Sequence, residues 1–277
     1  MYHYGYLRSS RKGRGMAPRP IPIYQRRSRK LPPDNRLRAA AVRGYPARAK
    51  GTARTAAKPK GAGKMRVAPS LISADFARLG EELENIRALG LDAVHLDVMD
   101  GAFVPNITFG QVLIKSIRKS SGLCFDTHLM IEKPCRYLDD FIAAGSDIIT
   151  VHYEATEDLA VDLRCIRAAG VKAGVSVKPK TPVSVLEPYL DDIDLILIMT
   201  VEPGFGGQGA IPECIKKIAE AKKLIGGRDI IIEADGGATV KNAVEFRDAG
   251  CDMLVAGTAF FKAEDRASAV EALTATE

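Results

Sequence analysis

His95 and Asp97 stand two residues apart at the end of an apolar, β-like run over 92–97, and side chains at i and i+2 of a strand share a face. An imidazole and a carboxylate so placed can grip a divalent metal, or the carboxylate can act as a base beside the ring. A buried His–Asp hydrogen bond accounts equally well for the pair taken alone. Two further runs of the same kind shift the balance: His128 closes the one at 123–129, and Asp235 follows the one at 230–234. Two imidazoles and two carboxylates from three strand ends form a four-ligand set for one divalent ion, with the carboxylates also available as acid and base. Mixed nitrogen and oxygen ligands suit Zn, Fe, Mn or Co. Asp126 lies two residues before His128, and Glu233 two before Asp235. Each is therefore expected to face the same interior, beneath the site, where a carboxylate can orient a ligating imidazole. For Glu233, pairing with a neighbouring basic or polar side chain is an equal alternative.

Glycines supply a second kind of chemistry. Pro203-Gly204-Phe205-Gly206-Gly207-Gln208 follows the run at 194–199, Gly236 and Gly237 follow Asp235, and Gly257-Thr258 follows the run at 252–256. Glycine after a strand lets backbone N–H groups approach a phosphate closely, so three successive loops of this kind point to a phosphate monoester as substrate. Met99, Met130 and Met199 sit at or just past strand ends. Methionine there is ordinarily core, but three at one level can line a dry, pliable wall around a reacting carbon.

The elements that must position these residues alternate. Strands are expected at 66–70, 92–97, 123–129, 147–152, 171–177, 194–199, 230–234 and 252–256, with helices such as 76–89, 136–144, 159–169, 211–225 and 240–249 between them. Gly90, Gly145, Gly170 and Gly250 fall where a helix stops before the next strand. Eight βα units in so short a chain describe a single (β/α)8 TIM barrel of class α/β, with a doubly wound open sheet as the alternative. In such a barrel the chemistry gathers at the C-terminal strand ends, where Ser70, His95, Asp97, His128 and Asp235 all fall.

Charge divides the chain in two. Residues 1–64 carry 18 of the 40 basic residues and one acid, Asp34, whereas 65–277 carry 22 basic and 33 acidic residues, so the overall +6 describes neither part. The first part is rich in Pro and Arg and poor in large apolar residues, and is read as a disordered basic extension. It has no apolar core of a secretory signal, while its Arg content and lack of acids resemble an organelle transit peptide. A nucleic-acid-binding arm is physically possible through tracts such as Arg26-Arg27-Ser28-Arg29-Lys30. The favoured reading is translated upstream sequence, with Met65 as the working start of a catalytic domain over 65–277, a cytoplasmic location, and no nucleic-acid partner. Five cysteines, odd in number and never in a C-x-x-C pattern, argue against a disulfide framework and against a cysteine-rich zinc site. No stretch reaches the roughly 18 to 20 apolar residues of a membrane span, so no membrane partner is expected.

Ala-Pro-Ser-Leu-Ile-Ser-Ala-Asp-Phe (68–76), His-Leu-Asp-Val-Met-Asp-Gly (95–101), Phe-Val-Pro-Asn-Ile-Thr-Phe-Gly (103–110), Asp-Thr-His-Leu-Met (126–130), Met-Thr-Val-Glu-Pro-Gly-Phe-Gly-Gly-Gln (199–208) and Ala-Asp-Gly-Gly (234–237) together resemble the ribulose-phosphate 3-epimerase family. The resemblance covers 65 to about 265 and none of the tail. It implies interconversion of D-ribulose 5-phosphate and D-xylulose 5-phosphate, a step of the pentose phosphate pathway, by removal and return of the C3 proton through an enediolate. His95, Asp97, His128 and Asp235 would ligate the metal, with Asp97 and Asp235 also the acid–base pair. Ser70 and His128 would contact the sugar, and Gly204 to Gly207, Gly236, Gly237, Gly257 and Thr258 the phosphate. Ala102 stands where the family usually has His, and Thr258 where it usually has Ser. A hexulose-phosphate epimerase is a near alternative. Barrel decarboxylases and synthases carry Asp-x-Lys-x-x-Asp, where this chain reads Asp97-Val98-Met99-Asp100. Lys178 leaves a Schiff-base, aldolase-like reading. Barrels of this size often pair, so a homo-oligomer is expected.

Overall fold

The computed structural model describes residues 65–275. The readings of 1–64 as a disordered tail, transit peptide or nucleic-acid-binding arm lie outside the described residues. Eight parallel strands follow one another: β1 (Arg66–Pro69), β2 (Ala93–Met99), β3 (Cys124–Met130), β4 (Ile148–His152), β5 (Lys172–Val177), β6 (Leu195–Met199), β7 (Ile231–Asp235) and β8 (Met253–Ala256). They pair in the order β1-β8-β7-β6-β5-β4-β3-β2, and a parallel bridge between Ser70 and His95 closes β1 onto β2. The expected (β/α)8 barrel is therefore present, and the open sheet is not.

Strand periodicity builds two cores from one set of strands. Alternate side chains point outward to the helices, where Val94, Leu96, Phe125, Ile149, Val151, Ile196, Ile232 and Leu254 join the large shell core. The intervening residues point inward, and Ala68, Ala93, Cys124, Ile148, Leu195, Leu197, Ile231 and Met253 form a separate apolar plug. Being buried on both faces, the strands read as continuous apolar runs, as parallel strands do. The inward series then turns polar toward the C-terminal ends, at His95, Asp97, Asp126, His128, Thr150, His152, Ser176, Glu233 and Asp235.

Helices cover the outside. The stretch expected as a helix over 76–89 opens as a 3-10 turn, Phe76–Arg78, because the Asp75 carboxylate caps the N–H of Ala77, and becomes α-helical over Leu79–Ala88. The helices expected at 136–144 and 240–249 shorten to Leu138–Ala144 and Ala243–Asp248. Helices also form at Gln111–Arg118, Thr258–Phe261 and Arg266–Thr274, and a 3-10 segment at Val183–Tyr189 contains Pro188. The four helix-ending glycines all adopt positive φ, and at Gly145 (φ +102°) a Cβ would meet the Arg118 side chain at 2.7 Å. Lys217 is buried and donates to the carbonyls of Lys178 (3.0 Å), Pro179 (3.2 Å) and Thr181 (2.6 Å), so its ammonium ties the loop after β5 to helix Pro212–Ile225. No helix among the described residues is long and apolar enough to cross a membrane.

Candidate active site

The centre of the site is the β2–β3 register. His95 lies opposite Asp126, and Asp97 opposite His128, so two imidazoles and two carboxylates alternate across neighbouring strands. His95 is fully buried and its Nδ1 is 2.5 Å from Asp126 Oδ2. Because the carboxylate accepts, the Nδ1 carries a proton and Nε2 turns to the strand-end cluster. There Nε2 lies 3.4 Å from Asp97 Oδ1 and 3.4 Å from His128 Nδ1. His128 Nδ1 in turn is 3.3 Å from Asp97 Oδ1 and 3.8 Å from Asp235 Oδ2. The Ser70 hydroxyl donates to the other Asp97 oxygen, which leaves Oδ1 to face the histidines.

One donor atom from each of His95, Asp97, His128 and Asp235 lies within 4.8 Å of all the others. Two nitrogens and two carboxylate oxygens gathered this closely, with a buried carboxylate fixing one imidazole from behind, fit a single divalent ion. The charges also lean on one another. Burial alone disfavours a charged His95, but Asp126, Asp97 and Glu233 together hold its pKa well above the ordinary range. Burial likewise opposes ionisation of Asp97, yet His95 and His128 keep it well below the ordinary carboxylate range. Asp235 goes the other way: burial and then the Asp97 charge push it up to about 6. Glu233 is raised by burial and by Asp126, and its Oε1 sits 3.4 Å from His95 Nδ1. Both interior carboxylates thus gather at His95, and Asp126 serves that ring rather than His128, its neighbour two residues on.

Above the cluster is a cavity of about 260 Å³. Ser70, Asp97, Met99, Met130, Met199 and Asp235 line it, together with Gly204, Phe205, Gly206, Gly207, Gly236, Gly237, Gly257 and Thr258. His95 and His128 do not line it, and neither does Lys178, whose Nζ instead lies 3.9 Å over the Phe103 ring. Gly236 and Gly237 are required by space and by φ: a Cβ would come within 2.4 Å of the Val201 side chain at the first (φ +119°) and 2.1 Å of the Ala210 backbone nitrogen at the second (φ +70°). The glycine loop after β6 is braced from two sides. Gln208 Nε2 donates to the carbonyls of Glu202 (2.8 Å) and Phe205 (2.9 Å), and Asn106 Nδ2, from the loop after β2, donates to Gly204 O at 2.9 Å.

Two residues take parts that the sequence leaves unstated. Asp100 accepts the N–H groups of Ala102 (2.9 Å), Phe103 (2.9 Å) and Glu132 (2.8 Å), so it shapes the loop rather than reaching the cavity. Ala102 is exposed on that loop. His152, the last residue of β4, is fully buried with its Nε2 2.8 Å from His128 Nε2. The signal that finds it is parity, since 148, 150 and 152 face inward together at a strand that ends there.

The geometry agrees with the comparisons. Residues 66–261 match the model of the ribulose-phosphate 3 epimerase family. The ribulose-phosphate 3-epimerase of Bacillus subtilis is 47% identical over 209 residues, spanning 74% of this chain and 96% of the relative. The chloroplastic ribulose-5-phosphate-3-epimerase of Arabidopsis thaliana is 45% identical over 215 residues, 76% of each chain. Among solved structures, a 3-hexulose-6-phosphate synthase aligns with TM-score 0.54 at 18% identity over 77% of this chain and 99% of its own. A 3-keto-L-gulonate-6-phosphate decarboxylase from Vibrio cholerae aligns with TM-score 0.59 at 14% identity over 76% and 95%. At such identities these two likenesses speak for the barrel alone. The match of sequence over nearly the whole barrel, together with the paired carboxylates and glycine loops at its mouth, means that this chain belongs to the ribulose-phosphate 3 epimerase family.

Proposed function

We propose that this chain inverts C3 of ribulose 5-phosphate, one of Asp97 and Asp235 taking the C3 proton and the other returning a proton to the opposite face. The observation that carries the reading is that two carboxylates from strands β2 and β7 both border one cavity. Inversion needs one group to remove the C3 proton and a second to return a proton on the other face. Either carboxylate can take the C3 proton while the other returns one, and in the reverse direction the roles exchange. Ser70, by donating to Asp97 Oδ2, holds the carboxylate in place with Oδ1 toward the histidines.

His95, Asp97, His128 and Asp235 are the residues that would hold one divalent ion, and the choice among Zn, Fe, Mn and Co stays open on donor chemistry. When bound, such an ion supplies Lewis acidity for negative charge developing on substrate oxygen. The phosphate is assigned to the glycine loops after β6, β7 and β8, whose backbone can approach it closely. Met99, Met130 and Met199 are all buried beneath the cavity and keep water from the reacting carbon. A phosphorylated ketopentose as substrate follows the names borne by the relatives, and a homo-oligomeric enzyme remains the expectation for a barrel of this size. Catalysis is assigned to residues from Met65 onward. A cytoplasmic location goes with that assignment; the chloroplastic relative supports the alternative of an organelle address in 1–64.

The test is metal-saturated chain in D2O with each pentulose phosphate in turn. Asp97→Asn and Asp235→Asn should each lower epimerisation by about 10²- to 10⁴-fold, the usual worth of a positioned acid or base. Each should retain C3 exchange with solvent for a different epimer. If both variants exchange the same epimer, the two-face assignment is wrong.

A further inference from the structure

His128 presents Nδ1 to the cluster, so its other nitrogen must be accounted for elsewhere. His128 Nε2 lies 2.8 Å from His152 Nε2, and two ring nitrogens at that distance share one proton, one ring donating and the other accepting. The far side of His152 sets the direction. Its Nδ1 is 3.4 Å from Glu154 Oε2, and the second Glu154 oxygen accepts the Lys178 N–H at 2.8 Å and the Thr181 hydroxyl. Partial burial opposes a charged Glu154, but those hydrogen bonds hold it down at about 2, so it is an acceptor only. His152 Nδ1 therefore carries the proton and its Nε2 is a lone pair, which draws the His128 proton to Nε2 against the pull of Asp97 Oδ1, 3.3 Å from His128 Nδ1. The remaining lone pair of His128 is then on Nδ1, toward Asp97 and Asp235. Phe103 packs on His152 with ring centroids 4.7 Å apart, and the imidazole is closed to solvent, so water does not compete for either nitrogen.

We propose that His152 is a positioning residue, which accepts the His128 Nε2 proton while donating to Glu154 and so fixes His128 with its Nδ1 lone pair open to a divalent ion. The inference rests on the metal-site reading above. The two ligand histidines are then set by different devices through opposite nitrogens: Asp126 holds the Nδ1 proton of His95, and the His152–Glu154–Thr181 chain holds the Nε2 proton of His128. Glu154 itself is anchored on the loop after β5, the loop Lys217 ties down, so a ligand on β3 is oriented by three successive strands.

The experiment uses the full chain labelled with ¹⁵N at histidine, with two readouts: the ring tautomers of the metal-free protein at pH 8, and Zn²⁺ affinity by competition with a chelator. In the unaltered chain His128 should carry its proton on Nε2. His152→Leu should mix the His128 tautomers and weaken Zn²⁺ binding by about 10- to 100-fold. His152→Gln, whose amide oxygen can accept the same proton, should recover most of that loss, which a purely structural role would not require. Glu154→Ala, at a partly exposed side chain, should move both readouts the same way by a smaller factor and decides the matter if His152→Leu does not fold. A proton on His128 Nδ1, or Zn²⁺ affinity and tautomer unchanged in Glu154→Ala and in any folded His152→Leu protein, overturns the proposal. An unaltered chain that takes up no Zn²⁺ refutes the metal site instead, and the tautomer, read without metal, still tests the relay.

Discussion

Asp235 sits where its own charge is unwelcome, and that cost can be measured apart from catalysis. Its side chain is 17% exposed, so solvent screens it little, and burial together with Asp97 moves its carboxyl from 3.8 up to about 6. The folded chain thus holds the Asp235 proton to higher pH than the unfolded chain does. Stability linked to this proton is fully present below about pH 4 and is lost as pH rises through about 6. At about 1.4 kcal/mol per pH unit, the ionised group costs the metal-free fold up to about 3 kcal/mol at pH 8. Asparagine has nearly the same shape and no charge. Asp235→Asn should therefore match the unaltered chain near pH 4 and exceed it by up to about 3 kcal/mol at pH 8, while losing epimerisation. The assay is guanidinium unfolding of chelator-treated protein at pH 4, 6 and 8. Saturation with a divalent ion should reverse the order at pH 8, because the chain with all four carboxylate and imidazole donors binds the ion more tightly and gains more stability from it. A difference between the two chains that does not vary with pH, or a variant less stable than its parent in metal-free buffer at pH 8, would refute the assignment of strain to Asp235.

Two further outcomes follow from the same geometry. Chelation should abolish turnover, with different divalent ions restoring it to different degrees, since mixed nitrogen and oxygen donors accept several; full activity in protein shown by elemental analysis to be metal-free would contradict this. A chain trimmed to begin at Met65 should melt cooperatively and turn over like the full chain, because all eight strands and every cluster residue lie at or beyond Arg66, and loss of the cooperative melt would assign the preceding residues to the domain.

Glu233 and Asp126 show how the barrel combines stability with function. Both are fully buried beneath the cluster, and both converge on His95. Removing one partner of such a buried arrangement costs more than the arrangement contributes, because the other is left uncompensated. The interior therefore depends on these groups as a set, with Asp126 bonded to the His95 ring and Glu233 beside it. Thr258 lines the cavity.

Whatever depends on neighbours along the chain was legible in the order of residues. Period-two alternation placed His95 with Asp97, and Glu233 with Asp235, on the inward faces of their strands, and strand ends placed all four donors at the mouth. Glycines after β6, β7 and β8 marked the second wall of the cavity for the same reason, since a loop's backbone reach is a local property. Only the tertiary structure decided which side chain meets which across strands, because that is set by register. Asp126 shares a face with His128 but bonds His95, since His95 is its registered partner on β2. Asp100, three places beyond Asp97 in the motif, turns instead to the backbone N–H groups of Ala102 and Phe103 on its own loop and of Glu132 after β3. His152 and Glu154, ordinary in sequence at the end of β4, gain their place behind His128 because the sheet brings β3, β4 and β5 side by side, so that a ring from one strand meets the ring of the next.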